Sequence, residues 1–232
     1  MKKAILTLVI FMAFTSLVSA QKKQSKGDGS SSPMFLSAEV NLSFARNPIN
    51  INYLKARLFL NKTMAIRLGL GLNSLSNTSK VTAAGLPDEE TKNKYFIFGL
   101  YPGFELHLGH NDRLSPYVGA ELGFSVKTSG TTVTNVGNVL NNKTECKSIW
   151  GDGTNPAYLR IGFNLVTGAD FYVVKGLFVG VEVGFGFAYT NNNDSDVSNT
   201  VGTTTTTVTT PGSKISNIGV NFNPCIRLGW TF

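Results

Sequence analysis

The chain has 232 residues and a formal net charge of +7, with 15% charged residues, 24 glycines and two cysteines. That length suits one domain, two cysteines exclude a disulfide framework, and no long stretch shows helical periodicity. Much of the basic excess lies outside the body of the chain: Lys2 and Lys3 open the N-terminus, and Lys22, Lys23 and Lys26 follow soon after.

Met1-Lys2-Lys3, an apolar run from Ala4 to Val18 and a small-residue exit at Ser19-Ala20 are the parts of a secretory signal peptide. The run is shorter than the 20 or so apolar residues that a spanning helix takes. The reading is a signal peptide at 1–20, cleaved after Ala20, and a disordered periplasmic tail at 21–33. One domain follows at 34–232. An exported chain has little occasion to meet nucleic acid, so no nucleic-acid partner is expected.

From there the chain alternates with a period of two, the mark of a strand with one face in apolar surroundings. Leu36, Ala38, Val40, Leu42 and Phe44 share one face, and Leu54, Ala56, Leu58 and Leu60 share the next. After a turn at Asn61-Lys62-Thr63 come Met64, Ile66, Leu68 and Leu70. Phe96, Phe98, Leu100, Pro102, Phe104, Leu106 and Leu108 make a fourth run, and Pro116 to Val126 a fifth. Leu159 to Phe171 and Leu177 to Tyr189 follow, joined by a short turn at Val174-Lys175-Gly176. The chain closes on Ile218, Val220, Phe222, Pro224, Ile226, Leu228, Trp230 and Phe232. That makes eight strands.

Their connections alternate in length. The turns near 61–63, 109–114 and 174–176 are short, whereas 73–94, 127–157 and 190–214 are long and polar, and 45–51 is intermediate. Short turns on one side and long loops on the other belong to an outer-membrane barrel. The expected fold is therefore all-β: an eight-stranded, antiparallel, up-and-down transmembrane β-barrel in the bacterial outer membrane. Its long loops would be extracellular, and only closure would satisfy the backbone in hydrocarbon.

The apolar face must point to lipid, because the other face carries the charges. Aromatics near strand ends would form interfacial girdles, with Phe44, Phe96, Phe124, Phe187 and Tyr189 on the outer rim and Phe171, Trp230 and Phe232 on the inner one. The inward face carries Glu39, Lys55, Arg57, Arg67, Glu105, Glu121, Arg160, Asp170, Glu182 and Arg227, five of each sign, plus His107. An eight-stranded barrel is just wide enough to be filled by side chains, and unpaired buried charges are costly. These residues are expected to pair into a plugged polar core, with interior glycines making room for Tyr101, Tyr117 and other rings.

Motifs for chemistry are scarce. Gly69-Leu70-Gly71 and Gly184-Phe185-Gly186 lie inside strands with no following helix, so they lack the context of a nucleotide loop. The histidines are His107, inward, and His110, in a turn. His107 is expected to bond Glu105 or a polar group of a neighbouring strand. Trp150 to Asn155 has turn chemistry and one carboxylate, too few for a calcium loop. Asn191 to Pro211, with five consecutive threonines at 203–207, is expected to be a mobile low-complexity loop. A bridge between Cys146 and Cys225 would require the long loop to fold inward. No catalytic residue, cofactor or metal site is predicted.

With the strands placed, the chain resembles the small outer-membrane β-barrel superfamily that includes the OmpA transmembrane domain, OmpX and the PorT-like barrels. The resemblance rests on the leader, the strand parity and the ending Arg227-Leu228-Gly229-Trp230-Thr231-Phe232. It implies that Leu228, Trp230 and Phe232 form the signal read by the barrel-assembly machinery. The leading expectation is a non-enzymatic integral membrane protein with structural, adhesive or secretion-accessory work done by its loops. Its partners would be outer-membrane lipid, that machinery during insertion, and an extracellular or secretion-system protein. A narrow pore for small solutes is the alternative, and a lipid-modifying enzyme at the rim is a third class.

Overall fold

The computed structural model describes residues 35–43, 50–109, 113–221 and 225–232. The leader at 1–20, the tail at 21–33, Phe44 and His110 lie outside the described residues.

Among the described residues, twelve strands form one antiparallel sheet. They are β1 (Phe35–Ser43), β2 (Asn50–Phe59), β3 (Met64–Val81), β4 (Glu89–His107), β5 (Leu114–Thr134), β6 (Lys143–Lys147), β7 (Tyr158–Tyr172), β8 (Leu177–Asn192), β9 (Ser195–Val201), β10 (Thr204–Thr210), β11 (Lys214–Asn221) and β12 (Cys225–Thr231). Eight of them close on themselves. From β1 the ring runs through β2, β3, β4, β5, β7, β8 and β12, and β12 returns to β1 with Trp230 opposite Ala38. The last apolar run is divided: β11 pairs with Asn191 to Gly184 of β8, and β12 with Gly180 to Leu177 of the same strand.

The short turns close by local chemistry. Asn61 accepts from the Thr63 backbone N–H at 2.8 Å, and Leu60 N–H reaches Met64 O at 2.9 Å. Gly176 has φ +92°, the left-handed region that glycine adopts without cost. Its carbonyl accepts from Thr231 N–H at 2.8 Å, tying the turn to the C-terminal strand.

The polar segments depart from the sequence reading. Much of 73–94, 127–157 and 190–214 is strand, not loop. β5 runs 21 residues, about 70 Å at roughly 3.3 Å per residue, well beyond what a bilayer crossing needs. Above Lys127 its neighbour changes from β7 to β6, and the same sheet extends beyond the ring in the order β10-β9-β6-β5-β4-β3. The threonine run is part of β10, paired with β9 across a turn at Gly202, φ +62°. These strands have polar residues on both faces, so alternation cannot reveal them. Their β-branched threonines nonetheless suit extended backbone, and pairing satisfies their amides.

The ring is inverted relative to a water-soluble protein. Large apolar side chains face outward and exposed, among them Leu68, Phe96, Phe98, Leu122, Phe124, Phe163, Phe185 and Phe187, with Phe171, Trp230 and Phe232 toward the short-turn end. Its most buried large side chains include Arg57, Arg67, Arg227, Glu105 and Asp170, each 0% exposed.

Candidate functional site

Strand pleating turns alternate residues inward, and ring closure brings residues far apart in sequence to one centre. Arg57 from β2 places Nη1 2.6 Å from Asp170 Oδ2 and 3.2 Å from Glu105 Oε2, with Nη2 3.3 Å from Glu39 Oε2. Its Nε donates to Ser37 Oγ at 3.2 Å. Arg67 from β3 lies 2.8 Å from Glu105, 2.8 Å from Glu121 and 2.9 Å from Glu182. Arg227 from β12 lies 3.2 Å from Glu39 and 3.6 Å from Glu182, and its Nη2 bonds Asp170. Lys55 Nζ sits looser, 3.4 Å from Glu182 and 3.8 Å from both Glu39 and Glu121.

Each of the eight ring strands contributes to this network. Glu39 comes from β1, Lys55 and Arg57 from β2, Arg67 from β3, Glu105 from β4, Glu121 from β5, Asp170 from β7, Glu182 from β8 and Arg227 from β12. Four cations face five carboxylates, a formal charge of −1. Multiple partners per guanidinium suit its fork of donors, and the shared contacts stitch the ring across its own interior.

Aromatic side chains fill the remaining space. The Arg57 guanidinium lies 4.7 Å from the Phe178 ring centroid and 5.5 Å from Phe59, and Arg227 lies 5.0 Å from Tyr117. The Tyr117 hydroxyl donates to Glu182 at 2.6 Å. Tyr101 lies across interior glycines: a Cβ built on Gly99 would come within 2.6 Å of its hydroxyl and 2.7 Å of its ring. Glycine there is a matter of space.

His107 Nε2 lies 3.4 Å from Glu105 Oε2, and its Nδ1 shares a 2.8 Å hydrogen bond with Ser115 Oγ. The strand face on which Ser37 and Ser115 sit could have signalled them, but their partners depend on register. Arg160 stands apart from the network. It is exposed toward the long-loop end, donates to Thr190 Oγ1 at 2.9 Å and lies 5.2 Å from the Tyr158 ring centroid. Leu228, Trp230 and Phe232 all point outward, and Phe232 N–H donates to Leu36 O at 2.8 Å.

Outside the ring, Trp150 stacks on Tyr95 with centroids 6.0 Å apart. Asp152 accepts from Thr154 N–H at 2.9 Å within the turn expected there. Cys146 is a buried free thiol, and burial pushes its pKa up. Among the described residues, no group of three or more His, Cys, Asp or Glu side chains could hold a metal ion.

Residues 38–232 match the family described as "Putative OmpA-OmpF-like porin family". The chain belongs to that family. The resemblance read from its strand parity and C-terminal motif points the same way. Among solved structures, the crystal structure of CarO from Acinetobacter baumannii is similar at 13% identity, covering 85% of this chain and 96% of that one, with a TM-score of 0.33. No curated protein matches.

Proposed function

We propose that this OmpA-OmpF-like protein is an integral outer-membrane protein, an eight-stranded transmembrane barrel whose interior is sealed by its ion-pair network. Its work is non-enzymatic and done outside the membrane by the sheet built from its long loops, in a structural, adhesive or secretion-accessory role. The carrying observation is the inversion itself: buried arginines and carboxylates inside a closed ring, exposed leucines and phenylalanines around it. In water that arrangement would expose a wide apolar belt; in a bilayer the belt is solvated and the closed ring leaves no open edge.

The belt has the right height. Along β4 the outward apolar residues run from Phe96 to Leu106, about 33 Å of strand, or about 25 Å along the normal at a tilt near 40°. The leader at 1–20 would direct export and be removed, the tail at 21–33 would stay periplasmic, and 34–232 would form the barrel domain. The outward Leu228, Trp230 and Phe232 suit recognition by the barrel-assembly machinery.

The test is fractionation combined with electrophoresis before and after boiling. Enrichment in outer membrane and a heat-dependent shift in migration support the reading; a soluble protein with one mobility overturns it. The second reading, a narrow pore for small solutes, is favoured by membership of a porin family. Planar-bilayer recording separates the two: steady single-channel conductance would replace the sealed reading. Lipid hydrolysis or acyl transfer by the purified protein would overturn the non-enzymatic one.

A further inference from the structure

Above the apolar belt the outward face changes character within one strand step. On β4 the residues following Phe98 and Phe96 upward are Lys94, Lys92 and Glu90. Register places Ser76, Lys94, Gly130, Lys147 and Asp196 in one row across five strands. The next row holds Lys92, Thr132 and Glu145, and the one above it Lys80, Glu90, Thr134 and Lys143.

Two of these five lysines are held by carboxylates, Lys80 by Glu90 at 3.1 Å and Lys143 by Glu145 at 2.6 Å. Lys92, Lys94 and Lys147 are exposed and have no ion pair among the described residues. Of the facing carboxylates, Asp196 accepts from Thr209 Oγ1 at 2.7 Å. Glu145 is held below the usual carboxylate range by its hydrogen bond to Lys143, with Lys147 and Lys94 adding to the effect. Gly130, between Lys94 and Lys147, leaves the floor of the row without a side chain. A cleft of about 300 Å³ lined by Glu90, Lys92, Lys94, Thr132 and Thr134 adjoins it.

Height decides what this face meets. Two residues beyond Phe96 is about 5 Å along the normal at the same tilt, and four is about 10 Å. The polar headgroup layer occupies roughly that interval above the hydrocarbon. We propose that Lys92, Lys94 and Lys147 form a docking surface for the phosphorylated headgroup of a lipid in the outer leaflet, its acyl chains lying against Phe96, Phe98, Phe124 and Val126 below. Continuity with the apolar belt favours a lipid over a free anion, and the Thr132 hydroxyl of the cleft adds to the three ammonium groups. Anchoring a lipid here would fix the height and tilt of the barrel and hold the projecting sheet upright.

This inference rests on the outer-membrane reading. The test uses the full folded protein in detergent micelles, with diphosphorylated lipid A and its dephosphorylated form as probes and native mass spectrometry as readout. At about fivefold per basic residue near a charged surface, the triple variant K92Q/K94Q/K147Q loses on the order of a hundredfold in retention of the phosphorylated lipid. The paired control K80Q/K143Q retains it, and inorganic phosphate at millimolar concentration does not displace it. Equal retention of the dephosphorylated lipid, an unchanged triple variant, or displacement by inorganic phosphate would overturn the proposal. Heat-dependent mobility of each variant, measured in parallel, separates this failure from failure of the barrel itself: a variant that shifts on boiling yet shows no phosphate selectivity sinks only the docking surface.

Discussion

Arg57→Met is the sharpest probe of the ion-pair network inside the ring. The side chain is fully buried and touches Glu39, Glu105 and Asp170 between 2.6 and 3.3 Å. At an effective dielectric constant near 20, one unit pair at the Arg57–Glu105 separation of 3.2 Å interacts by about 5 kcal/mol. Desolvation of the arginine offsets much of that attraction, and removing one partner of a buried pair typically costs about 3–5 kcal/mol. The substitution takes the network from −1 to −2 and leaves Asp170 to Arg227 alone. Urea unfolding in lipid vesicles should show a loss of about 3–5 kcal/mol. Adding Asp170→Asn returns the network to −1 and should recover a large part of that loss, since coupled neighbours are not additive. A single variant within about 0.5 kcal/mol of the parent, the range of ordinary surface substitutions, would overturn the proposed sealing of the interior. Water would then be solvating those carboxylates and the lumen would be open.

Other outcomes follow from the same geometry. Gly99→Val pushes a side chain into the Tyr101 ring, 2.6–2.9 Å from a built Cβ, and should cost about 1–3 kcal/mol as overpacking does; Tyr101→Ala in the same chain should relieve it, measured by the same unfolding. Replacing residues 195–210 with a short turn removes β9 and β10, which among the described residues pair only with β6 and with each other. The heat-dependent mobility shift should survive, and its loss would show that the projecting sheet helps to close the ring. In a Cys225→Ser background, Cys146 should react slowly with maleimide at neutral pH while folded, because burial raises its pKa and thins the thiolate, and rapidly after unfolding. Fast labelling of the folded protein would mean that β6 is not packed as described.

What the sequence disclosed divides along a physical line. β4 is visible because Phe96, Phe98, Leu100 and Leu106 repeat with a period of two against Tyr95, Gly99 and Glu105, and a bilayer on one side enforces that pattern. β10 is invisible because Thr204 to Thr210 presents hydroxyls to water on both faces, and its order comes from pairing with β9. The inward charges are legible as a set, since parity alone assigns them. Their partners are not: Arg227 meets Asp170 from 57 positions away and Glu39 from 188, a match fixed by closure of the ring. Arg160 shows the limit of parity, which gives the face of a residue and not its height. Parity counts it among five charges of each sign, whereas the contacts gather four cations and five carboxylates.

Contact between the outward face of the ring and lipid can be measured along β5. Single cysteines at Val118, Leu122 and Val126, and in parallel at Gly123 and Ser125, can carry spin labels in the vesicle-embedded protein, with collision by oxygen and by a water-soluble nickel reagent as readout. Oxygen access should be high at the first three, and access to both reagents low at the other two. Nickel access at Leu122, or no alternation along the strand, would contradict that contact.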